Sequence, residues 1–223
     1  MDTESWRVKA YKFQVVGAII SVILIIIAMA FYTGGTPDNP SIQGYSFWDN
    51  TLSNLGMSVA YSGKSNTISM ILFSIALIFS AASLIPFYLA IRFFFTEVKR
   101  EKWLSNIGTI FGIITSISII GIAISPVDIL EEQHMLFVYI SYTSTLIMSF
   151  CFSISMYLNK EFPKQYAYIF FIFTAVNFIL SIMGLVGLAS NRALMVIAQK
   201  VGWIAQIVCF VILSYGCWKL VKL

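Results

Sequence analysis

Apolar residues in this chain run in long blocks separated by polar interruptions, with no strand-like alternation. Six blocks lie at about 13–32, 66–95, 104–124, 135–158, 166–189 and 197–218. Each reaches the roughly 20 residues a helix needs to cross the hydrocarbon core, where only a helix or a closed barrel satisfies its own backbone. The second block exceeds that need, so part of it is expected to tilt or to project beyond the bilayer. The interruptions differ in kind: 34–64 is long and polar, 97–102 charged, 125–132 acidic, 159–164 short and basic, and 190–192 barely a turn. The expected fold is all-α, a polytopic bundle of six transmembrane helices forming one integral membrane domain over 1–223. Ala28-Met29-Ala30 has the small-residue look of a signal cleavage site. The apolar run before it is longer than a signal h-region, so a retained first helix is expected.

Composition agrees with the pattern. Hydrophobic residues make up 59% and charged residues 11% of 223, against roughly 45–50% and 25% in soluble domains, and mean hydropathy is +0.86. A soluble enzyme, a nucleic-acid reader and a disordered regulator are excluded. The net charge of +4 gives no reason to expect a nucleic-acid partner.

The placement of charge orients the helices. With both termini in the cytoplasm, the inner face carries Arg7, Lys9, Lys12, Arg92, Lys99, Arg100, Lys102, Lys160, Lys164, Lys219 and Lys222, and the outer face only Lys64, Arg192 and Lys200. Eleven against three is the bias expected of a multi-pass cell-membrane protein with cytoplasmic termini. Trp6, Trp103 and Trp218 then mark the inner boundary, and Trp48 and Trp203 the outer one. The three cysteines, 151, 209 and 217, fall within the blocks and read as packing thiols.

Unusual chemistry gathers on the outer side. In Tyr45 to Gly56, Ser46 and Asp49 resemble a capping box and Gly56 suits a helix end. A short interfacial helix over about 46–56 is expected, with Phe47, Trp48, Leu52 and Leu55 on its apolar side and Asp49 and Ser53 on another. It would serve as a lid over the bundle, or turn Asp49, Ser53 and Asn54 into a cavity.

In the acidic turn, Pro126 ends the third helix, Asp128 can cap, and Glu131 precedes the single histidine, His134, by almost one turn. A carboxylate beside an imidazole orients one tautomer, as a general base requires. One histidine and no outer cysteine are too few for zinc, and no acidic spacing matches a calcium loop, so neither metal nor cofactor is expected. Within the membrane, Asn177, Ser181 and Gly184 form one helical stripe and Gln199, Gly202, Gln206 and Cys209 another, with Ser141, Thr145 and Ser149 below His134. Interhelical hydrogen bonds account for them, or they line a polar path; Gly108 and Gly112 offer a close helix contact.

Tyr45, then Asn50-Thr51-Leu52-Ser53-Asn54-Leu55-Gly56, Asn66, Pro126, Asp128 and His134 together resemble DUF998, a family of six-helix prokaryotic membrane proteins of unknown function. Its first motif usually reads Ile-Ser-Glu-Leu-Gly, so Asn54 stands where the family has glutamate. Gln199-Lys200 occupies the place of its glutamine-arginine pair. The resemblance implies that Ser53, Asp128, His134 and Lys200 act together, and implies no activity.

Three functions fit these observations. The favoured one is a non-catalytic protein that binds a membrane lipid, or a membrane protein partner, through Asp49, Asn54, Glu131, Arg192, Gln199 and Lys200. The next is a membrane-embedded lipid hydrolase or transferase with His134 as base, Asp128 as its orienter and Ser53 or water as nucleophile. A small transporter is third, because no charged residue lies near a helix centre.

Overall fold

The computed structural model describes residues 3–221; Lys222, one of the basic residues counted above, lies outside them. It has six long helices, α1 Thr3–Phe31, α2 Thr67–Ile91, α3 Lys99–Ile124, α4 Glu131–Leu158, α5 Lys164–Ala189 and α6 Arg192–Val221. All six are long and apolar enough to cross a membrane, the make-up of a multi-pass membrane protein. Each helix packs on the next in sequence, and α1 also packs on α6, so the ring closes. Most helices start earlier than the apolar blocks do, α1 by ten residues, because a helix satisfies its backbone equally well in water and polar residues extend it there.

The charged interruption at 97–102 is largely helical. Glu101 is buried in the first turn of α3, where its carboxylate accepts from Asn159 Nδ2 at 2.7 Å and its carbonyl from Ser155 Oγ at 3.0 Å. That pairing brings the α4–α5 connection onto the start of α3.

The two ends of the bundle pack differently. Around the α2–α3 turn a cluster of large side chains fills the ring, including Tyr11, Phe87, Tyr88, Phe152, Phe170 and Phe210. Rings meet edge to face at 5.3 Å (Phe87 and Phe210) and stack at 6.3 Å (Tyr88 and Phe152), distances at which aromatic pairs attract beyond their buried area. The expected glycine contact forms here: a Cβ on Gly108 would lie 2.9 Å from the Phe152 ring, and one on Gly112 2.7 Å from the Tyr88 ring. All three cysteines are free and buried.

At the other end, the long α1–α2 connection folds over the ring. The expected helix over 46–56 does not form. Residues 47–50 make turns, and only Leu52–Gly56 is helical, as a short 3-10 turn. Side-chain amides take over the bonds a helix would use: Asn50 Oδ1 accepts from the Ser46 amide at 2.9 Å, and Asn54 Oδ1 from the Thr51 amide at 2.8 Å. The apolar side splits accordingly. Leu52 and Leu55 are buried against Ile25, Ala28, Tyr32 and Phe73, whereas Phe47 and Trp48 are exposed.

Two further tethers hold this lid. Asn66 Nδ2 donates to the carbonyls of Leu55 and Met57, at 3.1 and 2.9 Å. Gly35, at φ +87°, lies so close to the backbone of Ser62 that a Cβ would sit 2.3 Å from its nitrogen.

Candidate functional site

Pro126 shapes the site first. It disfavours helical backbone at the residue before it, so α3 ends at Ile124 and Ser125 turns away from the helix. The Ser125 carbonyl is thereby free to accept from His134 Nδ1 at 2.7 Å. His134 is buried in the first turn of α4, and its other ring nitrogen, Nε2, lies 3.1 Å from Ser53 Oγ. Ser53 comes from the 3-10 turn of the lid, 81 residues away in sequence. A carbonyl oxygen only accepts, so the proton resides on Nδ1 and the Nε2 lone pair faces the Ser53 hydroxyl.

Asp128 is placed elsewhere. Its carboxylate accepts from the Ser58 amide at 3.0 Å, the Ser58 hydroxyl at 2.5 Å and the Val59 amide at 3.0 Å. Desolvation raises its pKa, but the hydrogen bonds from Ser58 and Val59 outweigh it and hold the carboxyl below its ordinary value. Asp128 therefore clamps the α3–α4 turn to the lid, and a backbone carbonyl takes the orienting position on His134 expected for it.

Lys200 is a second clamp. Buried on α6, it donates to the carbonyls of Phe47 and Asn50, the latter at 2.6 Å, and lies 4.5 Å from the centre of the Phe47 ring. Arg192, at the start of α6, donates to Asn54 Oδ1 at 3.2 Å and to the Asp49 carbonyl at 3.4 Å. The Asp49 side chain is exposed and accepts from Ser46 Oγ at 2.5 Å.

Two cavities open beneath the lid. The larger, about 450 Å³, lies between the lid and the near halves of α4, α5 and α6. Ser53, Asn54, Glu131, His134, Arg192 and Gln199 give its wall polar groups, and Val138, Leu146, Phe178, Ile182 and Leu185 an apolar stretch. Phe178, Ile182 and Leu185 are also exposed on the outside of α5, so the apolar part opens sideways. The smaller cavity, about 140 Å³, lies in the ring interior and brings together Ser141, Thr145, Asn177, Gln199 and Gln206 from three helices. Trp203 faces it, with a buried indole N–H that has no partner among the described residues, and so turns inward from its expected boundary position. One turn further along, Phe173 and Phe210 meet at 5.8 Å. Ser53, Val138, Tyr142 and Gln199 belong to both walls.

The intramembrane stripes thus converge on cavities more than they bond across helices. Asn177 Nδ2 donates to Phe173 O at 2.8 Å and Ser181 Oγ to Asn177 O at 2.7 Å, both within α5.

Comparison with family models, with curated proteins and with solved structures gave no match.

Of the sequence-derived candidates, Ser53, Asn54, Glu131, His134, Arg192 and Gln199 share the larger cavity, while Asp49, Asp128 and Lys200 do not line it. Tyr142 and Trp203 were not among the candidates; an aromatic with a polar tip inside an apolar block is the signal they carry. The Ser125 carbonyl carries none, since a backbone group has no residue-type signature.

Proposed function

We propose that this chain binds a membrane lipid in the larger cavity, at the extracytoplasmic face of the cell membrane. The observation carrying this reading is the wall itself: one cationic group, Arg192, beside hydrogen-bonding groups at the lid, and an apolar stretch that opens sideways between helices. Its volume falls in the range of small-molecule sites, roughly 300–1,000 Å³. A phosphate headgroup pairs with Arg192, and an acyl chain lies along Val138, Leu146 and Ile182. Glu131, at the exposed start of α4, stands at the same mouth and favours a headgroup that also offers a donor. The positive-inside distribution of basic residues supports a mouth on the outside and both termini in the cytoplasm. Membership of the DUF998 family is part of the same reading, and rests on the sequence landmarks Tyr45, Asn50 to Gly56, Asn66, Pro126, Asp128 and His134.

Native mass spectrometry of the purified protein tests it. Wild type is expected to retain phospholipid. Gly184 lines the cavity and a Cβ there meets nothing within 4 Å, so Gly184→Leu fills the space and lowers retention. Arg192→Gln is expected to lower retention of phosphatidylglycerol and leave that of diacylglycerol unchanged. Retention equal to wild type in both variants overturns the reading.

A further inference from the structure

Two cavities, one in the ring interior and one opening between helices, meet along a short wall that includes Ser53. Ser53 lines both, and its Oγ lies 3.1 Å from an imidazole nitrogen whose lone pair faces it. A hydrogen bond that only tied the lid to α4 would need neither cavity and no particular tautomer. Fixing the proton on Nδ1 through the Ser125 carbonyl, at 2.7 Å, leaves Nε2 able to take a proton from Ser53.

We propose that Ser53 is a nucleophile and His134 its general base, acting on the carboxylic ester of a membrane lipid held in the larger cavity. This rests on the lipid-binding reading above. Ser53 Oγ attacks the ester carbonyl carbon while its proton passes to His134 Nε2. The tetrahedral intermediate collapses, the bond from that carbon to the lipid alkoxy oxygen breaks, and the departing oxygen takes the proton from Nε2 to leave as an alcohol. The acyl group is then esterified to Ser53.

A water molecule attacks this ester, giving its proton to Nε2. As the carbon–Oγ bond breaks, Nε2 returns the proton to Ser53 and a fatty acid is released. One water is consumed and nothing is oxidised or reduced. While Nε2 is protonated, Nδ1 keeps its bond to the Ser125 carbonyl, whose negative end supports the imidazolium where a carboxylate would stand in a triad. Arg192, which donates to Asn54 Oδ1, is the cation lining the same cavity as Ser53, and its charge favours the developing oxyanion there.

The smaller cavity supplies the water. Its volume of about 140 Å³ holds several molecules, given a share of roughly 30 Å³ for each. The unpartnered Trp203 N–H and the polar side chains around it provide the hydrogen bonds such waters need.

The test uses the full chain in nanodiscs of phosphatidylethanolamine and phosphatidylglycerol. A fluorophosphonate is expected to add once, at Ser53, read by intact and peptide mass. Without the probe, fatty acid and lysolipid are expected to accumulate. Ser53→Ala should abolish both signals, and His134→Gln should slow both by about 100-fold or more. Melting curves confirm that the variants fold; Ser53→Cys replaces Ser53→Ala if that variant does not, with loss of the fluorophosphonate adduct as its readout. Wild type that retains phospholipid but takes no label at Ser53 and releases no fatty acid overturns the ester chemistry and leaves lipid binding standing. Fatty-acid release that persists in Ser53→Ala overturns it too. Loss of phospholipid retention as well removes both readings.

Discussion

Asp128 and His134 lie six residues apart at one turn, and their surroundings give them different work. His134 is enclosed, with one nitrogen held by a carbonyl and the other by a hydroxyl. Asp128 is exposed and accepts from Ser58 and Val59, 70 and 69 residues away in sequence. Asp128→Asn keeps the shape and loses the charge, so the bonds weaken; a cost of about 1 kcal/mol is expected, below the usual range for charge-assisted bonds because the group is solvated. The pH dependence has a definite sign. A carboxyl whose folded pKa is depressed adds stability that is full above its unfolded value, near 3.9, and is lost as pH falls through the folded one. Melting temperatures of wild type and Asp128→Asn should therefore converge as pH drops below about 4. A constant gap between the two curves down to the folded pKa would remove the clamp.

Among the elements, the glycines make the sharpest comparison. Gly112 faces the Tyr88 ring so closely that Gly112→Ala must displace an aromatic in the packed end of the bundle, an overpacking cost of about 1–3 kcal/mol. Gly184 faces open space in the cavity wall. Gly184→Ala gains helix propensity and is expected to be neutral, or stabilising by up to about 1 kcal/mol. Thermal melts of the two variants in detergent check both; equal effects would mean that the two helix faces are packed alike.

The same contrast separates what is legible in the sequence from what is not. Long apolar blocks announce helices because the bilayer leaves the backbone few alternatives, and the six helices follow from them. The lid obeys no such rule. Its hydrophobic spacing fits a helix, yet Asn50 and Asn54 bond the backbone through their side chains, and local amide chemistry overrides the pattern. For the site, a lone histidine and the Asn-rich lid mark in the sequence the end of the molecule where the cavities lie. The pairing of Ser53 with His134 depends on tertiary closure, and so does the contact of Asp128 with Ser58.

Taken whole, the molecule is a closed ring, filled by aromatic side chains at the α2–α3 end and hollow beneath the lid at the other. Six helices return the chain to the side it started from, so α1 begins and α6 ends beside the filled end. The basic residues of the α2–α3 and α4–α5 connections lie there as well, which favours a filled end in the cytoplasm and cavities facing out. The free cysteines are all buried and give little background to thiol reagents, so single cysteines placed on exposed lysines report sidedness. Lys64 stands on the lid and Lys160 on the α4–α5 connection, both exposed. In intact cells, a membrane-impermeant maleimide is expected to label Lys64→Cys at once and Lys160→Cys only after permeabilisation. The reverse order would turn the bundle over, and the lipid reaching the cavity would then come from the cytoplasmic leaflet, where anionic headgroups are more abundant and Arg192 would meet them directly.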